Sequence, residues 1–184
     1  EELPESVIRT TFLVGFYGEG EDEFEELLRF QENAAFDWAG VFSYSPEDDT
    51  HALAYEGKAG FEREPEKASE RERLLKERQQ AISEERMDRF IGKRMKVLIE
   101  EQVEGEDLVL ARGYPHAPEV DGAVVLHVPE TVSPAAEAPE GEVRPEFEAD
   151  AKTGAPVSGF APGDVLECKI VRRNNIDLEG VTDE

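Results

Sequence analysis

The sequence predicts a chain of mixed class: an α/β unit on parallel strands, a long helix, and a small all-β barrel of five antiparallel strands. Three observations predict it. Residues 7–46 read strand, helix, strand within about forty positions, the pattern of a βαβ unit with parallel strands. Residues 65–90 form a charged run in which apolar positions are sparse. Beyond Gly92 the apolar period shortens to that of strands, and five short runs follow, divided by turn residues.

The first strand, VIRTTFLVGF (7–16), is rich in β-branched and aromatic side chains and reads as buried on both faces. Over residues 21–33, Phe24, Leu27, Leu28 and Gln31 fall at helical spacing. Glu21, Asp22 and Glu23 occupy the first turn, where the helix macrodipole favours acids. FDWAGVFSYSP (36–46) reads as a second buried strand, stopped by Pro46 and the acidic turn Glu47-Asp48-Asp49. Two parallel strands leave edges unpaired and faces uncovered, so this unit is expected to belong to a larger sheet. The chain opens at Glu1-Glu2-Leu3-Pro4, and it is expected to be a piece of a longer protein.

A loop holding Gly57 and Gly60 leads to a helix predicted from Pro65, a residue suited to the first helical position, to about Phe90, with Gly92 closing it. Its apolar residues, Leu74, Leu75, Ala81, Ile82 and Phe90, are too few for a core helix and suit one that crosses a surface or joins domains. The strands that follow are MKVLIEE (95–101), DLVLAR (107–112), AVVLHV (123–128), DVLECKIV (164–171) and IDLEG (176–180). Five short antiparallel strands without a helix suggest a small closed barrel of the oligonucleotide-binding type. Residues 130–162, rich in Pro, Ala and Glu, bury little and are expected to form a disordered acidic insertion in one hairpin. Domains are therefore expected at 1–62, 63–91 (the helix) and 92–184.

The charge is lopsided: 44 acidic against 20 basic residues, net −24 over 184 positions. Residues 1–90 carry 24 acids and 11 bases, and residues 91–184 carry 20 and 9, so the excess is spread evenly. An even spread suits adaptation to a saline host as well as attraction to a basic partner. Direct nucleic-acid binding is disfavoured, because such a surface repels phosphate. No apolar stretch is long enough to span a membrane, and no partner membrane is expected. The lone Cys168 excludes an internal disulfide framework and fits a cytoplasmic location.

Two stretches carry candidate chemistry. In RTTFLVGFYGEGEDEF (9–24) an apolar run meets Gly15, Gly18 and Gly20. A phosphate cradle would need the Lys of GxxxxGK[ST]; here Glu19, Glu21, Asp22 and Glu23 crowd the place, and the electrostatics reject it. The glycines are expected to turn the strand at the rim of an α/β sheet or barrel, where active sites collect, or to serve a purely structural turn. In RGYPHAPEVDG (112–122) a cation, an aromatic and two prolines precede an Asp121-Gly122 turn signal. Arg112 and Tyr114 would project from a strand end where small barrels bind ligands. Metal chemistry finds little support: His51, His116 and His127 have no partner at i+3 or i+4, and Cys168 reads as a core residue of a strand. No GxSxG nucleophile elbow occurs.

The segment RTTFLVGFYGEGEDEFEELLRF followed by FDWAGVFSYSPEDDT resembles the late strands of the radical S-adenosylmethionine barrel of methylthiotransferases. LLKERQQAISEERMDRFIGKRMKVLIE is similar to that family's connector into its TRAM domain, and RGYPHAPEVDG and PGDVLECKIVRRNNIDLEG resemble the TRAM barrel itself. APEVDG and the pattern Phe42, Tyr44, Ser45, Pro46, Glu47, Thr50 resemble the branch that modifies an aspartate of ribosomal protein S-twelve. The sibling branch, which acts on a transfer-RNA adenosine, is the alternative within the family; a stand-alone acidic binding module without catalysis is the alternative outside it. Tyr17 stands where the family usually has Pro, and Gly20 where it has Thr.

The resemblance implies a partial (β/α) radical barrel, a connector helix and a TRAM barrel. It implies S-adenosylmethionine and two [4Fe–4S] clusters in the whole protein, a deoxyadenosyl radical that takes hydrogen from the substrate β-carbon, and a basic ribosomal protein as partner. The CxxxCxxC motif that binds the radical-generating cluster is absent here, so the chain alone is expected to be inactive and to contribute barrel rim and substrate-protein binding. By the same resemblance Arg9, Thr10, Gly15, Gly18 and Glu19 would lie near the adenosyl ligand, and Arg112, Tyr114 and Asp121 would meet the substrate protein. No catalytic residue and no metal ligand is assigned within the chain.

Overall fold

The computed structural model describes residues 3, 5–103, 107–127 and 160–182. The chain forms two compact units, Glu1–Arg89 and Phe90–Glu184. The insertion expected over 130–162 falls outside the described residues except at its last three positions.

In the first unit, β1 (Arg9–Val14) and β2 (Trp38–Ser43) pair in parallel, from Arg9↔Trp38 to Val14↔Ser43. The connection between them is α1 (Glu21–Ala34), so the predicted βαβ unit is present. The Gly20 N–H donates to Glu23 Oε2 at 3.0 Å, tying down the start of α1. Ala35 ends it in a left-handed conformation, φ 45°, donating its N–H to the Gln31 carbonyl. After a 3₁₀ turn at His51–Tyr55 comes α2 (Pro65–Met87), which packs on β1, β2 and α1.

Strand alternation decides what is buried. Phe12, Val14 and Val41 turn to one face and meet Phe24 of α1 and Leu75 of α2, with Leu27, Leu28, Phe36, Ala39 and Leu74 packed around them. Each such side chain contributes about 1.5–3 kcal/mol on full burial. The opposite face is open: Leu13 and Phe42, directly across from one another, are 51% and 57% exposed. The expectation of burial on both faces therefore holds for one face only. An unbroken apolar run signals two covered faces, and this unit supplies a single covering layer.

The helix α2 lies on that sheet. Its inward stripe is Ala68, Arg71, Leu75, Gln79, Ser83 and Met87, and half of it is polar. The polar members are bonded: Gln79 Nε2 donates to the Phe36 carbonyl at 2.9 Å and Ser83 Oγ to the Asp37 carbonyl at 2.7 Å. Asp37, 1% exposed, accepts the Ile8 N–H on Oδ2 and Arg86 and Arg89 on Oδ1.

In the second unit, β3 (Arg94–Gln102), β4 (Leu108–Gly113), β5 (Val124–His127), β6 (Val165–Asn174) and β7 (Asp177–Thr182) close a barrel in the order β3-β4-β5-β7-β6. All pairs are antiparallel except β5–β7, which is parallel. The expected all-antiparallel barrel is corrected in that one pair, for a geometric reason. Directions alternating around a closed ring of five strands cannot match at the last join, so one pair must be parallel. Val97, Ile99, Val109, Ala111, Val124, Leu126, Cys168, Ile170 and Leu178 fill the interior. Among the described residues, no helix is long and apolar enough to cross a membrane.

Candidate functional site at the strand ends

The C-terminal ends of parallel strands are where α/β proteins place ligands, because the chain turns there and backbone groups are released from the ladder. At the end of β1 the chain turns through Gly15, φ 74°, and Gly18, φ 80°. A Cβ on Gly15 would stand 2.3 Å from the Cβ of Ala68 on α2, so the glycine lets helix and strand approach. The Gly15 N–H donates to Glu19 Oε2 at 2.9 Å, and the other oxygen of Glu19 meets Arg71 Nη1 at 2.7 Å. Arg71, its side chain only 7% exposed, also donates to the carbonyls of Glu19 and Gly20, pairs with Glu21, and lies over the Phe24 ring. The acids after the glycines thus hold the corner shut through one buried arginine.

Beside this corner lies an aromatic cluster. Phe16 contacts Tyr17, Tyr44 and Tyr55, and Tyr55 stacks on Phe61 with ring centroids 4.8 Å apart. The Arg63 guanidinium covers Tyr17 and Tyr44 at 5.4 and 5.1 Å, while its Nη2 donates to the Tyr44 carbonyl and its Nε to that of Gly15. A cavity of about 600 Å³ opens here, lined by Tyr17, Phe61, Arg63, Pro65 and the turn from Glu56 to Ala59.

The structure brings Gly15, Gly18 and Glu19 together in this corner. Arg9 and Thr10 sit at the opposite end of β1, roughly 15 Å away at strand rise. Arg9 lies over the Trp38 ring at 6.0 Å; Thr10 alternates onto the face that carries Phe12 and Val14. Arg63 and Arg71 gave no signal in the sequence, where each is one cation in a charged run. Their partners are mostly backbone carbonyls, which no side-chain pattern reveals.

The other candidates belong to the second unit. Arg112 on β4 donates from Nε to Glu100 Oε1 on β3 at 2.6 Å. Tyr114 is 55% exposed and sets its ring edge-on to Phe90. Asp121 accepts the Ala117 N–H on Oδ2 at 2.7 Å, which fixes the turn between the prolines and Gly122. Burial lowers the pKa of His116 in that loop, against the opposing pull of Asp121. Cys168 is buried in the barrel, and burial pushes its thiol up to about 11. No group of three or more His, Cys, Asp or Glu able to hold a metal occurs among the described residues.

Residues 91–182, half of the chain, match the family model described as TRAM domain. Beyond that unit, the chain is 38% identical over 183 residues to the ribosomal protein uS12 methylthiotransferase RimO of Treponema denticola, covering 96% of this chain and 33% of that protein. It is 46% identical over 126 residues to the enzyme of the same name from Thermotoga sp. strain RQ2, covering 68% of this chain and 28% of the relative. The chain belongs to the TRAM domain family. A third relative of that name, from Prochlorococcus marinus strain MIT 9301, is 39% identical over 132 residues, covering 72% of this chain and 28% of that protein. The chain spans about a third of the length of the curated relatives it matches. Within the family frame, the barrel of β3–β7 is the TRAM domain, and Arg112, Tyr114 and Asp121 stand on its β4–β5 side.

Proposed function

We propose that this chain is the C-terminal part of an enzyme that methylthiolates the β-carbon of an aspartate in ribosomal protein uS12. The observation that carries the reading is identity running through both units, 38% over 96% of the chain, to a protein named as a ribosomal protein uS12 methylthiotransferase. The open face of β1–β2 supports it, because Leu13 and Phe42 present an apolar wall that a larger barrel would cover. In this reading residues 1–62 complete the barrel, residues 63–91 form the connector, and residues 92–184 meet the substrate protein through Arg112, Tyr114 and Asp121.

S-adenosylmethionine fits one feature of the chain. Leu13 and Phe42 form an exposed apolar shelf at the C-terminal end of parallel strands, suited to the flat face of an adenine. Bound there, the cofactor would supply one-electron chemistry and a methyl group. Gly15, Gly18 and Glu19 would act on it by fixing the turn beside the shelf, since both Glu19 oxygens are already bonded. A [4Fe–4S] cluster does not fit residues of this chain: it needs several thiolates, and the single cysteine is buried with a raised pKa. The net charge of −24 favours a basic protein over RNA as the partner.

The test is an anaerobic assay of the whole protein that carries this chain, with S-adenosylmethionine and uS12, read by peptide mass spectrometry. A methylthio group on an aspartate of uS12 is the expected result. Modification of an adenosine in transfer RNA, with uS12 unchanged, would overturn the substrate assignment.

A further inference from the structure

We infer that the cavity between Tyr17 and the Gly57–Arg63 turn is a carboxylate-receiving site, taking an acidic side chain of the substrate polypeptide. The inference rests on the function proposed above and adds the residues that read the substrate's charge. It starts from an excess of donors. Tyr17 is 6% exposed, and its hydroxyl is buried without a hydrogen-bond partner; the Tyr44 hydroxyl is in the same state. A buried hydroxyl left unpaired is costly, so native structures seldom keep one unless another group completes it. Arg63 reaches two backbone carbonyls through Nε and Nη2, which leaves Nη1 without an acceptor and the guanidinium without a carboxylate among the described residues. Lys58 Nζ sits 5.2 Å over the Tyr55 ring and likewise has no ion pair there.

Two cations without counter-ions are unexpected in a chain with 44 acids. Glu56 and Glu62 also line the cavity, but both are exposed, and Glu62 is held below the usual carboxylate range by its own backbone N–H and by the Gly60 N–H it accepts. The cavity wall therefore offers two cationic donors, Arg63 Nη1 and Lys58 Nζ, beside the Tyr17 hydroxyl, which donates or accepts, with the Tyr44 ring behind it against Tyr17. The group that satisfies donors without needing an acceptor in return is a carboxylate, which offers two oxygens and no hydrogen. The cavity volume of about 600 Å³ admits a side chain with its flanking backbone. Arg63, pinned by two carbonyls and two rings, is pre-oriented to receive it; Lys58 supplies a mobile second charge.

The experiment uses the 184-residue chain and two small probes, N-acetyl-L-aspartate methylamide and its asparagine counterpart, followed through the tyrosine ring signals by NMR. The aspartate probe is expected to move the signals of Tyr17 and Tyr44 and to bind about tenfold or more tightly than the asparagine probe. Lys58→Met is expected to weaken it several-fold, and Arg63→Gln more; because Arg63 also braces the corner, Lys58→Met decides if the other variant fails to fold. Equal binding of the two probes, no shift from either, or unchanged affinity in Lys58→Met overturns the site. In the whole enzyme, Lys58→Met should raise KM for uS12 and leave kcat nearly unchanged. Aspartate-selective binding without uS12 modification would keep the site and sink the proposed function. Modification with no aspartate selectivity would do the reverse.

Discussion

At the scale of single residues, buried charge is the strongest constraint in the first unit. Asp37 is 1% exposed and accepts one backbone N–H and two arginines, so its carboxylate joins the start of β1, the start of β2 and the last turn of α2. Asp37→Asn keeps the shape and one acceptor oxygen, but it removes the charge that pairs with Arg86 and Arg89 and sets an NH2 donor against either the Ile8 N–H or the two guanidinium groups. Losing one partner of a buried pair costs about 3 kcal/mol. Urea unfolding should show a loss near that size, and an unchanged midpoint would reduce Asp37 to a spacer. His116 gives a residue-scale prediction of another kind. Burial lowers its pKa, while an unfolded histidine titrates near 6.5. The unfolded state therefore binds the proton first as pH falls, and stability drops from about pH 6.5 down to the lowered folded value, then levels. His116→Gln should remove that slope. If the slope persists, it belongs to another group.

At the scale of elements, the approach of α2 to β1 is set by one missing side chain. Gly15→Ala meets two penalties: a left-handed φ of 74° and a Cβ placed 2.3 Å from that of Ala68. Together these should cost about 3 kcal/mol. Ala68→Gly in the same chain relieves the contact but not the backbone strain. The double variant should then be less destabilised than the sum of the two singles, measured by thermal unfolding; simple additivity would show that the two elements do not touch at this point. The same pair explains what the sequence allowed one to read. Gly15 was legible as a turn, and Phe24, Leu27 and Leu28 as the inner face of α1, because apolar spacing reports directly on burial. The packing of α2 was not legible, because Arg71, Gln79 and Ser83 in its inward stripe look like a solvated face until their backbone acceptors are known. For the same reason Arg63, bonded to the Gly15 and Tyr44 carbonyls, stayed hidden beside the corner, while Gly18 and Glu19 stood out. The barrel strands were legible to within one to three residues at their ends, since short apolar runs divided by turn residues mark them even where, as in β7, burial does not alternate. The parallel β5–β7 join was not, because pairing partners leave no trace in periodicity.

At the scale of the whole molecule, two features oppose each other: an open apolar face and a net charge of −24. Leu13 and Phe42 lie side by side on a two-stranded sheet, an arrangement that invites pairing with another copy. Charge keeps copies apart at low ionic strength, where the Debye length is about 30 Å at 0.01 M, but that protection shrinks to about 3 Å at 1 M. Salt should therefore act with two signs on the chain studied alone. It should raise the melting temperature, by screening repulsion among the 44 acids, and at the same time promote self-association through the open face. Light scattering against salt tests the second effect, and the paired substitution Leu13→Thr with Phe42→Thr assigns it. If association at high salt survives both substitutions, the open face is not its origin, and the case for that face as an unfinished barrel wall weakens with it. If association disappears while the melting temperature still climbs with salt, charge and face are separable. The face then belongs to the sheet that β1 and β2 were shaped to join, and the charge to the molecule as a whole.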